Sequence, residues 1–214
     1  NMKSKKLKKW TTLLTCATAL TVMTACSQSS SQSTGTTSST TSKTSVVTAT
    51  TSKKTNKNNS NYFTSKDSDT SYNESSATKI KLSGSSADVS GDGAALSGST
   101  VTISKAGTYV ISGKSDGLQI KVDAGDSDDV HIVLDGVTMT NTNAAINATK
   151  TGHVYLTLKD GTTNTLSDSS SNSDEDADAV IFSKGDLTIN GSGTLNIDAK
   201  KNNGIKANDS LHMT

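Results

Sequence analysis

The residues of this sequence best able to do chemistry form one short acidic run. Asp174, Asp176 and Asp178 alternate along that run, with Glu175 between the first two. Carboxylate oxygens are the hard ligands that Ca²⁺ prefers in proteins. The run therefore predicts a calcium site, and a solvated acidic loop is the alternative interpretation.

Two lysines that flank the acidic run, Lys184 and Lys206, are candidate ligand-binding residues. A lysine with a lowered pKa could also act as a general base. Outward lysines are more often simply solvated, and the sequence has no evident Ser/His/Asp arrangement and no histidine pair at metal-binding spacing. The residues by themselves therefore give little support to catalysis.

A third chemical feature is Cys26, which follows an apolar stretch near the N-terminus. Residues 3–9 are rich in lysine, and residues 11–23 form an apolar stretch that is too short to span a bilayer. The stretch ends in Met-Thr-Ala-Cys, which resembles the lipobox of bacterial lipoproteins. The resemblance implies lipidation of Cys26 after cleavage, with residues 1–26 as the signal peptide. An ordinary secretory signal with an incidental cysteine is the alternative.

The distribution of charge divides the whole chain into two parts. Residues 1–66 contain ten lysines and no acidic residue, whereas residues 67–214 contain eleven lysines and twenty acidic residues. The sequence contains no arginine, so arginine-based recognition of nucleic acid is absent. Only 31% of the residues are apolar, against about 45–50% in an ordinary globular protein. We therefore expect no nucleic-acid partner and a core confined to one part of the chain.

Residues 27–77 are predicted to be a disordered linker. Among residues 27–76, 28 are Ser or Thr, and large apolar residues are almost absent. Such a segment buries too little apolar surface to offset the entropy lost on ordering. It would hold a domain away from the membrane.

Residues 78–214 are predicted to be an all-β domain with an internal repeat. The strand-like segment 130–134 recurs 24 residues later at 154–158, and 187–189 recurs 24 residues later at 211–213. The step from 154 to 187, between the two pairs, is 33 residues. The residues beyond the usual 24 fall in the polar stretch 167–178. A repeat of this length suits one coil of a three-stranded parallel solenoid. An antiparallel sandwich is the alternative.

This repeat assigns side chains to rows. One outward row holds His131, Tyr155, Thr188 and His212. Tyr155 is its candidate ligand contact, although such a row is more commonly solvated. Asp135 and Lys159 form an opposite-charge pair, Ile132 faces the interior, and Val133 faces water. Stacking also brings the acidic run to the next turn, which gives the predicted calcium ligands Asp174, Asp176, Asp178, Asn202 and Asn203.

Four segments carry a resemblance to a known family: 107–113, 160–168, 186–195 and 203–209. Their sequences and order are similar to those of the clostridial-type carbohydrate-binding β-helix lipoproteins. The resemblance implies a right-handed parallel β-helix like that of pectate lyases, bound calcium, and affinity for acidic or plant-type polysaccharide such as pectin or cellulose. Asn203 departs from the aspartate usual in this family, which weakens the predicted calcium site.

The resemblance covers about residues 78–214, and family members continue through further coils. We therefore expect this segment to be the N-terminal part of a C-terminally truncated β-helix. The predicted protein is extracytoplasmic, attached to the bacterial membrane by lipid, and bound to polysaccharide. A structural or adhesive surface protein with no glycan ligand is the alternative from another functional class, and a weak calcium-dependent polysaccharide lyase is the other alternative.

The lipid anchor predicts a clear result for the Cys26→Ala variant. Without the Cys26 thiol no lipid can be attached, so the precursor should remain unlipidated and be recovered free of membrane. Cell fractionation with mass spectrometry checks this, and Cys16→Ala, inside the apolar stretch, is the matched control. A Cys26→Ala protein that is processed normally and stays on the membrane would contradict the lipobox assignment.

Overall fold

The strands of this domain form where apolar and polar side chains alternate along the chain. In the strand Gln119–Asp123, Ile120 and Val122 are fully buried, while the other three residues are half-exposed. Successive side chains of an extended chain point to opposite faces. One face of such a strand therefore enters the core and the other remains outside it.

A computed structural model describes residues 45–47 and 62–214, which all fall in one compact unit, Thr41–Thr214. Cys26 and the predicted signal peptide lie outside the described residues. Helix is almost absent from the described part, where the short 3-10 helix η1 spans Ser65–Ser68 and no helix is long and apolar enough to cross a membrane. The strands are β1 (Ser45–Val47), β2 (Thr78–Gly84), β3 (Ser86–Ser90), β4 (Ala94–Ser97), β5 (Thr100–Ile103), β6 (Gly107–Asp116), β7 (Gln119–Asp123), β8 (Asp129–Thr140), β9 (Ile146–Lys150), β10 (His153–Leu158), β11 (Thr163–Ser167), β12 (Ala179–Ser183), β13 (Asp186–Gly191), β14 (Thr194–Asp198), β15 (Asn203–Ala207) and β16 (Leu211–Met213).

The strands form two mixed sheets. The larger sheet follows the order β1-β14-β11-β8-β10-β13-β16, with β2, β3 and β6 joined to it through β8. The smaller sheet follows the order β15-β12-β9-β7-β5-β4. Most pairs are parallel, and the antiparallel pairs are β1–β14, β2–β3 and β4–β5. The prediction of an all-β domain is confirmed.

The predicted register between repeats is also confirmed. Tyr155 pairs with His131 on one side and with Thr188 on the other, and Thr188 pairs with His212. In the smaller sheet, Ile120, Ile146, Ile181 and Ile205 follow one another across the paired strands. Both series lengthen across the same insertion, residues 167–178. Equivalent positions of successive repeats therefore lie side by side.

Stacked aliphatic rows build the core. Ile132, Leu134 and Leu156 are fully buried and belong to one continuous apolar cluster that both sheets share. Each such side chain stabilises the fold by about 1.5–3 kcal/mol relative to an exposed position. The interior position predicted for Ile132 is confirmed.

The expectation that Val133 faces water is wrong. Val133 is fully buried and packs with Ala77 and Val110, while the partly buried Tyr72 lies against the same cluster. The side chain does point away from the main core, as alternation requires. It is buried because residues that precede β2 cover the outer face of the larger sheet at this point. Part of the segment assigned to the linker therefore lies against the domain.

The stacked register predicts opposite outcomes for two aspartate substitutions. Ile132→Asp places an unpaired charge in the apolar core at a cost of about several kcal/mol and should unfold the domain. Thr165→Asp lies on β11 at a half-exposed position and should cost under about 1 kcal/mol. Urea unfolding followed by circular dichroism compares the two. Equal loss of stability in both variants would contradict the assignment of inner and outer faces.

Candidate functional site

Lys184 and Lys206, the two lysines selected from the sequence, meet in one cleft on the smaller sheet. We call it the lysine cleft. It has a volume of about 450 Å³. Its lining residues are Thr149, Glu175, Asp176, Phe182, Lys184, Lys206 and Asn208. The cleft therefore joins both lysines to two residues of the acidic run.

The stacking of β9, β12 and β15 positions these side chains. Phe182 of β12 pairs with Lys206 of β15, and Lys184 follows directly after β12. The backbone N–H of Lys184 donates to the carbonyl of Ala148 at 2.9 Å, which fixes Lys184 beside the end of β9. Gly185 permits this close approach, because an added Cβ would lie 2.6 Å from the carbonyl oxygens of the preceding repeat.

The two lysines differ in their ionic partners. The Nζ of Lys206 lies 2.6 Å from Oδ1 of Asp178 and 5.7 Å from the centre of the Phe182 ring. The hydrogen bond from Lys206 lowers the pKa of Asp178 below its usual value. Within the described part of the chain, Lys184 has no carboxylate within ion-pair distance. Lys184 is therefore the ammonium group that the cleft leaves available to a ligand.

The predicted calcium ligands are near one another in sequence, but their carboxylates are engaged separately. Asp174 accepts hydrogen bonds from the backbone N–H groups of Asp176 and Ala177, at 3.1 and 2.9 Å. Asp178 is paired with Lys206 and also lies 3.3 Å from Nδ2 of Asn203. Among residues 62–214, no cluster of three His, Cys, Asp or Glu side chains is arranged to hold a metal ion. Asn202 is exposed just before β15, and calcium binding by these residues stays a prediction.

The insertion is instead organised by a buried carboxylate that the sequence did not single out. Asp168 is buried, accepts from Nδ2 of Asn172 at 3.1 Å and accepts from the backbone N–H of Lys200 at 2.7 Å. Asn172 is also buried. These bonds connect the first part of the polar stretch to the next repeat, and at its other end the backbone N–H of Asn203 donates to the carbonyl of Asp178 at 3.1 Å. The stretch is therefore ordered by the chain's own groups. Spacing alone could not distinguish Asp168 from the exposed acids nearby.

Tyr155 lies on the larger sheet, away from the lysine cleft. Its ring stacks on His153 with a centroid distance of 3.9 Å and an interplanar angle of 5°. Lys66 Nζ lies 4.7 Å from the centre of the Tyr155 ring. The predicted ligand-binding residues therefore divide between two sheets. We call the cleft at Tyr155 the tyrosine cleft; its volume is about 280 Å³, and it is lined by Lys66, Asp69, Ser71, Gly107, Thr108, Asp129, His131 and Tyr155.

Residues 62–72, which we call the strap, cover the outward row of this sheet. Asp67 of the strap is 1% exposed. Its Oδ1 accepts from the Thr188 hydroxyl at 2.6 Å and lies 3.1 Å from Nδ1 of His212. Asn190 Nδ2 donates to the backbone carbonyls of Asp67 and Asp69, at 3.0 and 3.1 Å. The row of Thr188 and His212 is as predicted, but the sequence did not reveal its cover.

The hydrogen bonds to Asp67 determine its protonation. Burial alone would raise the pKa of Asp67, but hydrogen bonds from Thr188, Thr64 and His212 outweigh it and hold the pKa far below its usual value. Asp67 is therefore a carboxylate at neutral pH. A carboxylate in this position requires that His212 donate from Nδ1.

Comparisons with known proteins agree with a carbohydrate-related domain. The family model described as "Carbohydrate-binding domain-containing protein" matches residues 97–214. A curated relative with the same description, from Acetivibrio thermocellus, is 39% identical over 129 residues, which make up 58% of this chain and 45% of the relative. A solved structure of the polysaccharide lyase-like protein from C. thermocellum, a gadolinium derivative, is 35% identical with a TM-score of 0.62 and covers 64% of this chain. This chain spans 45% of the relative and 58% of the solved chain.

The depressed pKa of Asp67 predicts a pH dependence of stability. A carboxyl group whose pKa is lower in the folded state contributes stability that is present above its ordinary value of 3.8 and lost as pH falls toward the folded-state pKa. The Asp67→Asn variant should lack this contribution, so its free energy of unfolding should fall less steeply below about pH 4. Urea unfolding across acid pH measures it. Asp92→Asn, at an exposed carboxylate, should follow the wild type, and parallel curves for Asp67→Asn and wild type would contradict the assignment.

Proposed function

Because this chain belongs to the family of carbohydrate-binding domain-containing proteins, we propose that it binds polysaccharide through the lysine cleft and does so without catalysis. The observation that carries the proposal is the available ammonium of Lys184 beside Glu175 and Asp176. Sugar hydroxyl groups both donate and accept hydrogen bonds, so they match a cleft that offers both kinds of partner.

The chemistry of the cleft suits a sugar ring. Lys184 donates, Glu175 and Asp176 accept, and the side chain of Asn208 does both. The Thr149 hydroxyl, which already donates to the carbonyl of Val122 at 3.2 Å, can accept. The volume of about 450 Å³ lies within the range of about 300–1,000 Å³ common for small-ligand sites. A single sugar unit of a longer chain can therefore be held by several polar groups at once.

A neighbouring cleft supports binding of a polymer in preference to a free monosaccharide. Its volume is about 400 Å³, and it shares Lys184 and Asn208 with the lysine cleft. Lys150, Asp126 and Asp209 are among its other lining residues. Because the two clefts share a wall, a ligand chain that fills one can continue into the other.

The lysine cleft and its neighbour together form a double cleft, and its charged side chains indicate which kind of polysaccharide it suits. Lys150 and Lys184 can pair with the carboxylates of an acidic sugar, whereas Lys206 is already neutralised by Asp178. Glu175 and Asp176 favour hydroxyl groups over carboxylates at their own end. We propose an acidic, pectin-like polysaccharide whose uronates contact the two lysines, with a cellulose-like neutral chain as the comparison ligand.

Three further parts of the proposal depend on the sequence. The parallel strand pairs and the lyase-like neighbour support a right-handed parallel β-helix with about 24 residues per coil. The lipobox resemblance supports attachment to the bacterial membrane through Cys26, outside the cytoplasm. The calcium requirement stays a prediction. Among residues 62–214, no three His, Cys, Asp or Glu side chains are grouped to hold a metal ion.

Charge reversal at Lys184 tests the proposed site. Lys184→Glu removes the available ammonium and adds a repelling carboxylate, so affinity for polygalacturonate should fall about tenfold or more, which is about 1.4 kcal/mol. Lys114→Glu makes the same charge change at an exposed position of β6 and should bind as the wild type does. Affinity electrophoresis in polygalacturonate and in a soluble β-glucan gel measures both.

The other outcomes of the electrophoresis test the binding site, the presence of a glycan ligand and the need for calcium. Equal retention of Lys184→Glu and wild type would contradict the lysine cleft as the binding site. No retention of the wild type by either polymer would favour an adhesive surface protein with no glycan ligand. Loss of wild-type retention in EDTA, restored by Ca²⁺, would support the predicted calcium requirement.

A further inference from the structure

The outer face of the larger sheet carries a second set of polar groups that the proposed function does not use. His153 Nε2 lies 2.8 Å from the hydroxyl of Thr188, and Thr188 in turn donates to Asp67. In parallel, the hydroxyl of Thr157 donates to Oδ1 of Asn190 at 2.6 Å. Thr157, Thr188 and Asn190 are all at most 2% exposed. Outward side chains of a sheet are ordinarily solvated, so the burial of this polar row is caused by the strap.

One carboxylate oxygen of Asp67 accepts hydrogen bonds from the sheet, and the other accepts hydrogen bonds from within the strap. Oδ1 receives the hydrogen bonds from Thr188 and His212 on the sheet. Oδ2 receives the bonds from the backbone N–H and the hydroxyl of Thr64, within the strap itself. The sheet therefore supplies a complete pair of donors to one oxygen of a carboxylate that belongs to another segment.

Strand register makes this donor pair a property of the folded sheet. Thr188 on β13 and His212 on β16 are Cα partners in adjacent parallel strands. The bond between His153 and Thr188 orients the Thr188 hydroxyl, because a hydroxyl that accepts from His153 is free to donate to the carboxylate. The Thr188 hydroxyl is thus held in place by a group outside the strap, whereas the His212 ring also packs against Phe63 of the strap, with ring centroids 5.2 Å apart.

Space for the remainder of a ligand lies next to the donor pair. Tyr155 pairs with Thr188 across adjacent strands and opens onto the tyrosine cleft. The Tyr155 ring stacks on His153 and lies under Lys66 Nζ of the strap, 4.7 Å from its centre, so displacement of the strap would uncover a flat aromatic surface. On this side the strap is held by the ion pair of Lys66 with Asp129, whose side chains are about half-exposed. Exposed ion pairs contribute little stability, so this edge of the strap is its weakest attachment.

We propose that the row of Thr188, Asn190 and His212 is a second binding site, specific for a carboxylate-bearing sugar, and that Asp67 occupies it in the absence of ligand. The proposal rests on the proposed function for its ligand class, an acidic polysaccharide, but uses a different sheet. A uronate carboxylate takes the place of the Asp67 carboxylate, and its sugar ring lies over Tyr155. The strap competes from within the same chain, so the site is weak until the strap is displaced.

Removal of the competing carboxylate tests this site directly. The Asp67→Ala variant leaves both sheet donors in place, and we expect it to bind trigalacturonate about tenfold more tightly than the wild type. Asp88→Ala, which removes an exposed carboxylate on β3, outside both clefts and the strap, should show no gain. The comparison is made in the Lys184→Glu background by isothermal titration calorimetry, so that a failure of the lysine cleft and a failure of this site are distinguishable.

Two further arms make the result specific. Adding Thr188→Val to Asp67→Ala should abolish the gain, because one of the two donors is lost. Cellotriose, which has no carboxylate, should show no gain in any variant. Equal affinity of Asp67→Ala and its parent for trigalacturonate would overturn the proposal. A gain that survives Thr188→Val, or that cellotriose shares, would overturn it too.

A measurement on the unaltered strap covers the case in which Asp67→Ala does not fold. Saturating trigalacturonate should displace the strap of the wild-type chain and increase tryptic cleavage after Lys66 about tenfold, whereas cellotriose should not. Cleavage after Lys114, on β6, is the internal control. An unchanged rate of cleavage after Lys66 would overturn the proposal.

Discussion

The whole domain depends on one constraint, that equivalent positions of successive repeats lie side by side. The Val, Ile and Leu rows can be buried only if every strand keeps this register, since a slip of one residue would exchange the inner and outer faces. The pairing of His131, Tyr155, Thr188 and His212 maintains it across four strands. The larger step through residues 167–178 leaves the register intact because the extra residues form a loop outside the strands.

The same constraint assembles the polar sites. A stacked fold places residues about one repeat apart within side-chain reach, so Lys184 and Asn208 form a wall common to two clefts. On the other sheet it places Thr188 beside His212, where both contact one carboxylate. Neither arrangement contains residues close together in sequence. The proposed binding surfaces are therefore products of register, and the loop contributes Glu175 and Asp176 to the lysine cleft.

What could be predicted from the sequence follows from this regularity. The repeat revealed the strand pairing, the interior Ile132 and the ion pair of Asp135 with Lys159, whose Nζ and Oδ2 are 2.7 Å apart. Features without periodicity were missed. The strap is rich in small polar residues and docks through hydrogen bonds of Asp67, a mode of packing that hydrophobic patterns do not record. Val133 was misjudged for the same reason, because its cover comes from outside the repeat.

The central claim, that polysaccharide binds at the wall formed by Lys184 and Asn208, is tested most directly by an NMR titration. Backbone amide signals of the full-length wild-type protein are followed as galacturonate oligomers are added. Binding at this wall should shift the signals of Thr149, Lys184 and Asn208 first, in a saturable manner. Shifts that begin on another face of the domain, or no saturable shift at any residue, would contradict it.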